Sequence, residues 1–165
     1  MARALAAGRV LAVDHSIPYR SGRMPRGRAR ELMQAHIRTM MSGHVITSQP
    51  EDSLLDVARE LATHTIGAVP VVDGHARLIG IVSTTDVVNL LHDEKRLDNM
   101  SVGDVMTANP ISIDEFATAN EAIGLMRNAS IRHLPVTREG RVVGMVTAGD
   151  LIRHLLKNYP EPDVA

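Results

Sequence analysis

A run of three hydroxyl side chains and a carboxylate at residues 83–86 (STTD) is the stretch of the sequence with the clearest chemistry. It follows the β-branched residues Ile81 and Val82 and precedes apolar residues at helical spacing, so the pattern predicts a buried strand that ends at a helix N-terminus. The first amides of a helix lack intrahelical partners and can hold a phosphate, and a carboxylate can accept two hydrogen bonds from a ribose diol. These groups suit a nucleotide, although a serine or threonine at such a junction is more often only an N-cap.

The same stretch occurs a second time. Residues 80–86 (GIVSTTD) correspond to residues 144–150 (GMVTAGD) at an offset of 64. Earlier in each copy, Val-Pro-Val at residues 69–71 corresponds to Leu-Pro-Val at residues 134–136, at an offset of 65. An offset that stays nearly constant over about fifty residues indicates an internal duplication.

Each copy has the same predicted layout: a short strand, an amphipathic helix, a two-stranded hairpin and a closing helix. The order β-α-β-β-α, repeated twice, predicts a mixed α/β (α+β) fold. Since one such unit is too small to bury its own sheet and helices, we expect the two units to pack about a pseudo-twofold axis. The predicted short strands are His44–Thr47 and Pro110–Ile113, the predicted helix N-caps are Asp52 or Ser53 and Thr118, and the predicted hairpin tips are Asp73-Gly74 and Glu139-Gly140.

The chain divides into four segments. Residues 1–28 form a basic arm that we expect to be flexible, residues 29–95 hold a lead-in helix (29–41) and the first repeat, residues 96–157 hold the second repeat, and residues 158–165 form a tail. Pro160 keeps the tail out of the closing helix. The arm reads most simply as a solvated leader, and the alternative is an electrostatic contact with nucleic acid or an acidic partner.

Composition limits the classes of function. The 165-residue chain has a net charge of −1 and no cysteine, which suits a cytoplasmic protein and gives no overall attraction to nucleic acid or membrane. No apolar run reaches the ~18–20 residues of a membrane span. Tyr19, Phe116 and Tyr159 are the only aromatic residues, so the core must be aliphatic and a stacking surface for single-stranded nucleic acid is missing.

Taken together, the motifs resemble the tandem CBS domains of the Bateman module. The resemblance rests on residues 105–107 (VMT) ahead of the second repeat, on the strand at residues 132–136 (RHLPV), and on the Gly-x-x-Ser/Thr-x-x-Asp turn in both copies. It covers about residues 38–157, and the order and duplication of the motifs make it specific. The family implies sensing of an adenosine nucleotide or S-adenosylmethionine in two clefts between the repeats, by modules that often dimerise face to face.

The resemblance further implies that each cleft is built crosswise, from the Asp turn of one repeat and the first strand and x-Pro strand of the other. Cleft one combines Ser83, Thr84, Thr85 and Asp86 with Ile111, Ser112, Arg132, His133, Leu134 and Pro135. Cleft two combines Thr147 and Asp150 with Ile46, Thr47, Gly67, Ala68, Val69 and Pro70.

On this assignment the two clefts differ in charge. Cleft one has Arg132 and His133 where cleft two has Gly67 and Ala68, and the Asp turn of cleft one has three hydroxyls where that of cleft two keeps one. Because charge-assisted contacts with phosphate are the stronger ones, we expect cleft one to bind a phosphate and cleft two to bind weakly or to take an uncharged adenosine group.

The resemblance suggests a role for each side chain of cleft one. Asp86 would hold the ribose hydroxyls, Ser83 and Thr85 the phosphate, Arg132 and His133 would neutralise that phosphate, and Ile111 and Leu134 would sandwich the base. The alternatives are a surface ion pair for the arginine and a packed or solvent-facing imidazole for the histidine.

We therefore expect a non-catalytic regulatory module that senses AMP, ADP, ATP, NAD or S-adenosylmethionine, a choice that the sequence leaves open. It would signal through a change in the arrangement of its repeats, or of a homodimer, to an effector protein that the sequence does not identify. The eight histidines show no paired metal spacing, and no nucleophile elbow or Walker loop occurs, so neither catalysis nor a metal or cofactor is predicted. The alternative is a nucleic-acid-linked regulator that uses the basic arm.

Overall fold

The computed structural model describes residues 26–157. The predictions for residues 1–25 of the basic arm and for the tail at residues 158–165 lie outside the described residues. The helices are α1 (Arg26–Met33), α2 (Leu54–Thr63), α3 (Thr84–His92), α4 (Ala119–Ala129) and α5 (Ala148–Lys157). The strands are β1 (Ala68–Val72), β2 (Leu78–Ser83), β3 (Thr107–Ala108), β4 (Ile113–Asp114), β5 (His133–Arg138) and β6 (Arg141–Thr147), and single 3-10 turns occur at Ile37–Thr39, Leu97–Asn99 and Val102–Asp104.

Two three-stranded sheets form the centres of the two repeats. The first has the order β1-β2-β3 with antiparallel neighbours. The second has the order β4-β5-β6, in which β4 is parallel to β5 and β6 is antiparallel to it. These sheets with their helices confirm the mixed α/β (α+β) fold that the duplicated pattern predicts.

The core is aliphatic and contains one cluster per repeat. The residues with no exposed surface are Leu54, Val69, Val71, Val82 and Val102 in the first cluster, and Ile37, Ala122, Leu134, Val136 and Val146 in the second. Burying a side chain of the size of valine or leucine contributes about 1.5–3 kcal/mol, so these residues supply much of the driving force for folding.

The segments that precede the two repeats are exchanged between them. Ahead of the first repeat, the Ile37 N–H donates to the Ala117 carbonyl of the second repeat (2.8 Å). Ahead of the second repeat, the Val102 N–H donates to the Asp52 carbonyl of the first (2.9 Å), and β3 then joins the first sheet. Each repeat is therefore completed by chain that precedes the other, and the exchange is the same in both directions.

The lead-in helix is shorter than the sequence indicates. We expected it over residues 29–41, but α1 begins at Arg26, within the last three residues of the predicted arm, and ends at Met33. His36 is extended (φ −74°, ψ 142°) and forms a bridge with Thr118. Pairing with the second repeat therefore ends the helix, a long-range effect that helical spacing does not report.

The short first strand of each repeat also differs from the prediction. No strand forms at 44–47, and the nearest pairing is a single parallel bridge between Ser48 and Val71, one residue beyond that range. The strand expected at 110–113 is instead the two-residue β4, which begins at the last residue of that range. The predicted helix caps at Ser53 and Thr118 are found in the structure, because both hydroxyls accept hydrogen bonds from the first turns of α2 and α4.

Candidate ligand-binding cavity between the repeats

A cavity of about 870 Å³ opens between the two repeats. The first repeat and its lead-in segment contribute Ser42 and residues 44–46 and 64–68 to its walls, and the second contributes the start of β5, the end of β6 and the first turns of α5. Small-molecule sites are commonly about 300–1,000 Å³, so this volume can accept a nucleotide.

Asp150 and Thr147 form the polar turn at one wall of the cavity. Asp150 Oδ2 accepts hydrogen bonds from the Thr147 backbone N–H (2.8 Å) and hydroxyl (2.7 Å), and the Asp150 N–H donates to Thr147 Oγ1 (3.2 Å). This reciprocal arrangement is a capping box, so the carboxylate helps to start α5. Its other oxygen, Oδ1, accepts a hydrogen bond from the guanidinium of Arg153 on the next turn.

Asp86 makes the same cap in the first repeat. Its Oδ2 accepts hydrogen bonds from the Ser83 backbone N–H and hydroxyl, both at 2.7 Å. This turn lines neither the 870 Å³ cavity nor a smaller cavity of about 240 Å³ beside α2. The repeated motif therefore has a structural role in both repeats, and the large cavity lies on the Asp150 side.

The structure places Arg132 and His133 in this cavity and not in cleft one, where we expected them. His133 is the first residue of β5 and pairs with Thr147 at the end of β6. The Ala148 N–H donates to the Arg132 carbonyl (3.0 Å). The hairpin therefore fixes both residues beside the Asp150 turn of their own repeat. The expected charge difference between the clefts is reversed, because the arginine belongs to cleft two.

The His133 ring reaches the first repeat and lies against Gly67. A Cβ atom on Gly67 would stand 2.2 Å from Nε2 and 2.5 Å from Cε1 of that ring, so the contact depends on the missing side chain. Burial, reinforced by the neighbouring Arg132, lowers the pKa of His133 from its ordinary 6.5, while Asp150 opposes the shift. The imidazole is therefore neutral at pH 7, and an anion bound beside it would favour its protonation.

Four of the predicted site residues are core residues. Val69 and Pro70 in β1, and Leu134 and Pro135 in β5, are fully buried. Their side chains support the strands behind the 870 Å³ cavity and do not form its surface. Leu134 belongs to the hydrophobic cluster of the second repeat, so it is not placed to sandwich a base.

The remaining predicted residues lie in the large cavity, in the smaller cavity or in neither. Ile46 and Ala68 line the large cavity, and Thr47 lines the smaller one. Ile111 is 44% exposed and, like Ser112, lines neither of these two cavities.

The lining residues with ionisable side chains that were missed from the sequence are His44, His64 and Arg153. Arg153 follows Asp150 by three positions, a spacing at which helical side chains meet, so this pair could have been found. His44 and His64 reach the cavity through the packing of the two repeats, and no local motif marks them. Among the ion pairs within residues 26–157, none includes Arg132.

No group of three or more His, Cys, Asp or Glu residues within 26–157 is arranged to hold a metal ion. Across the same residues, each helix is too short or too polar to cross a membrane.

The structure is a paired-repeat module, defined by its duplicated unit, its exchanged segments and the cavity between the two repeats. The chain belongs to the CBS domain family, which matches it over residues 28–93 and 102–157. The two matches correspond to the two repeats, which confirms the family resemblance that the sequence motifs carry.

Curated relatives share this part of the chain. The CBS domain-containing protein DDB_G0289609 of Dictyostelium discoideum is 35% identical over 138 residues, which are 76% of this chain and 94% of that protein. An inosine-5'-monophosphate dehydrogenase of Korarchaeum cryptofilum is 37% identical over 108 residues, which are 65% of this chain and 21% of the enzyme. The match thus spans about a fifth of the dehydrogenase.

Solved structures of similar fold contain adenosine compounds. The CBS domain pair of protein MJ0100, in complex with 5'-methylthioadenosine and S-adenosyl-L-methionine, superposes with a TM-score of 0.70 at 28% identity and covers 76% of this chain and 98% of that one. CBSX2 in complex with AMP superposes with a TM-score of 0.66 at 25% identity and covers 74% and 96%.

Proposed function

We propose that this chain is a non-catalytic regulatory module that binds a phosphate-bearing adenosine ligand, such as AMP, in the cavity between its repeats. The observation that carries the proposal is the presence of Asp150, Thr147, Arg132 and His133 around one cavity whose facing wall comes from the first repeat. A carboxylate suits a ribose diol, and a guanidinium suits a phosphate. The AMP and S-adenosylmethionine complexes of related domain pairs support adenosine as the common part of the ligand.

Each group has a role in this proposal. Asp150 Oδ1 accepts the ribose hydroxyls, since Oδ2 already accepts two hydrogen bonds from Thr147. Arg132 pairs with the phosphate, and His133 becomes protonated as that phosphate binds. Ile46 and Ala68 offer the apolar surface on which an adenine ring can pack.

Signalling then follows from the position of the cavity. A ligand shifts a conformational equilibrium only by as much as its affinity differs between the two states. Because both repeats form the cavity walls, any change in their relative position alters the ligand contacts. Binding therefore favours one arrangement of the repeats over the others.

We also propose that the module is a homodimer formed through its closing helices. α3 exposes Val88 and Leu91, and α5 exposes Ile152 and Leu156, each between 56% and 64%. Val88 and Ile152 are equivalent positions at the offset of 64, so both helices present the same kind of apolar side. A second copy, with the same two helices, would cover these side chains.

Sedimentation velocity tests the dimer. The wild-type chain is expected to sediment as a dimer, and Val88→Glu combined with Ile152→Glu as a monomer, since a charge cannot be buried unpaired in an apolar interface. A wild-type chain that is monomeric at high micromolar concentration contradicts the proposal.

Isothermal titration of AMP against Asp150→Asn tests the ligand site. The substitution removes the charge and nearly preserves the shape of the side chain. Hydrogen bonds to a charged group contribute about 1.5–3 kcal/mol, so the affinity is expected to fall by about tenfold or more.

Asp86→Asn is the matched control, because it loses the same capping box in the other repeat. Both variants should lose similar stability, and only Asp150→Asn should lose affinity. Loss of affinity in Asp86→Asn alone would place the nucleotide in cleft one, as the sequence first suggested. Unchanged affinity in both variants would show that neither Asp turn binds the nucleotide.

A further inference from the structure

The two capping carboxylates are alike at one oxygen and different at the other. Oδ2 of Asp86 and of Asp150 accepts the two hydrogen bonds of the cap in each repeat. Oδ1 of Asp150 also accepts a hydrogen bond from Arg153, three residues along α5. The position equivalent to Arg153 in the first repeat, at the offset of 64, is Asn89, which carries no charge.

Arg153 lies at the cavity, where it can both cover Asp150 and meet a ligand. It is one of the residues that line the 870 Å³ space. Its Nη1 is 3.8 Å from the point that a Cβ atom on Gly149 would occupy, so the guanidinium extends back over the first turn of α5. The Arg153 side chain is 69% exposed, and ion pairs this exposed contribute little stability. A ligand can therefore displace it from the carboxylate.

Displacement is necessary if a ribose binds as proposed above. With Oδ2 engaged in the cap, the diol must use Oδ1, the atom that Arg153 occupies. A ligand with a phosphate offers the displaced guanidinium a new charge-assisted partner. A neutral adenosine offers none, and a ligand with a positively charged centre adds repulsion.

We propose that Arg153 determines ligand specificity by exchange: it pairs with Asp150 in the empty cavity and with the ligand phosphate in the occupied one. This inference rests on the proposed function, since it assumes that an adenosine compound binds at Asp150. The proposed exchange differs from a simple phosphate contact, because Arg153 opposes the binding of neutral ligands as well as favouring that of anionic ones. Its removal should therefore change the two affinities in opposite directions.

Isothermal titration of the full chain with AMP and with adenosine tests the exchange, since these two probes differ only in the phosphate. For Arg153→Gln we expect the AMP affinity to fall about tenfold, the loss typical of one charge-assisted hydrogen bond. We expect the adenosine affinity to rise, because the competitor for Asp150 Oδ1 is gone. Arg153→Lys keeps the charge and is expected to retain most of the preference for AMP.

Asn89→Ala is the matched control at the equivalent position of α3, and it should change neither affinity. If Arg153→Gln lowers both affinities by the same factor, or changes neither, the exchange is refuted while nucleotide binding in the cavity stands. If wild-type protein binds neither AMP nor adenosine, the proposed function fails and the exchange fails with it. Thermal melting of Arg153→Gln close to that of the wild type verifies that the variant is folded.

Discussion

Replacing Gly67 by alanine alters the contact through which the two repeats meet across the cavity. The new Cβ atom would stand 2.2 Å from Nε2 of the His133 ring. Cβ atoms essentially never lie closer than 3.0 Å to a non-bonded heavy atom, so the ring or the backbone must shift. The backbone of Gly67 is outside the left-handed region, so alanine meets no conformational penalty there. The whole cost must therefore come from relieving the contact with the ring.

The expected change in the free energy of unfolding on Gly67→Ala follows from two opposing effects. Forcing an extra methyl group into a packed contact costs about 1–3 kcal/mol. Replacing glycine by alanine at a compatible backbone position stabilises by about 0.4–1 kcal/mol, through the unfolded chain. Gly67→Ala should therefore destabilise the wild-type protein by roughly 1–2 kcal/mol, and it should be neutral or stabilising once His133 is alanine.

Urea unfolding of the wild type, both single variants and the double variant measures this interaction as a double-mutant cycle. The structure predicts that Gly67→Ala is destabilising in the wild-type background and neutral or stabilising in the His133→Ala background. Independent sites add within about 0.3–0.5 kcal/mol, so a cycle that closes within this range would refute the contact. A closed cycle would also show that the His133 ring does not contact the first repeat.

Three further predictions concern other contacts between the repeats. Gly144→Ala should lower the free energy of unfolding by more than Gly80→Ala, with both losses within about 1–3 kcal/mol in urea unfolding. A Cβ atom on Gly144 would meet a backbone carbonyl at 3.0 Å as well as a methionine sulfur, whereas at Gly80 only a flexible methionine side chain must move. Burial lowers the pKa of His133 below 6.5, so the folded state resists protonation and stability falls as the pH drops from above 6.5 towards that lowered pKa. His133→Gln should therefore reduce the loss of melting temperature between about pH 7.5 and 5.5. Arg141→Glu should raise the free energy of unfolding by about 0.2–1 kcal/mol, because Arg141 lies directly opposite Arg77 where the hairpins meet, and an opposite charge would replace a like one.

Features set by neighbouring residues could be predicted from the sequence. The capping hydroxyls Ser53 and Thr118 lie where the helix pattern begins, and the acid of each Asp turn is three residues after its hydroxyl. The duplication itself requires only a comparison of the chain with itself. These signals are local or periodic, and they were sufficient for the fold class and the family.

The composition of the cavity could not be predicted in the same way. The crosswise cleft implied by the family resemblance led us to assign Arg132 and His133 to cleft one, but the pairing of His133 with Thr147 fixes them beside the Asp150 turn of their own repeat. Which cleft a strand end faces depends on how the repeats dock, and the sequence pattern is nearly the same for both choices. The exposure of Leu134 is likewise decided by the core and not by its neighbours in the chain.

The exchange of segments makes the two repeats mechanically dependent on each other. The bridge between His36 and Thr118 holds the first lead-in segment on the second repeat, and the bridge between Ser53 and Ser101 holds the second lead-in segment on the first. These two seams and the meeting hairpins permit relative motion of the repeats only if several hydrogen bonds move together. A ligand at 100 times its dissociation constant stabilises the state that it binds by about 2.7 kcal/mol, which is a large share of the 5–15 kcal/mol that holds a typical domain folded. Under the proposed function, a ligand that binds one arrangement of the repeats and not the other would shift the equilibrium between them by this amount.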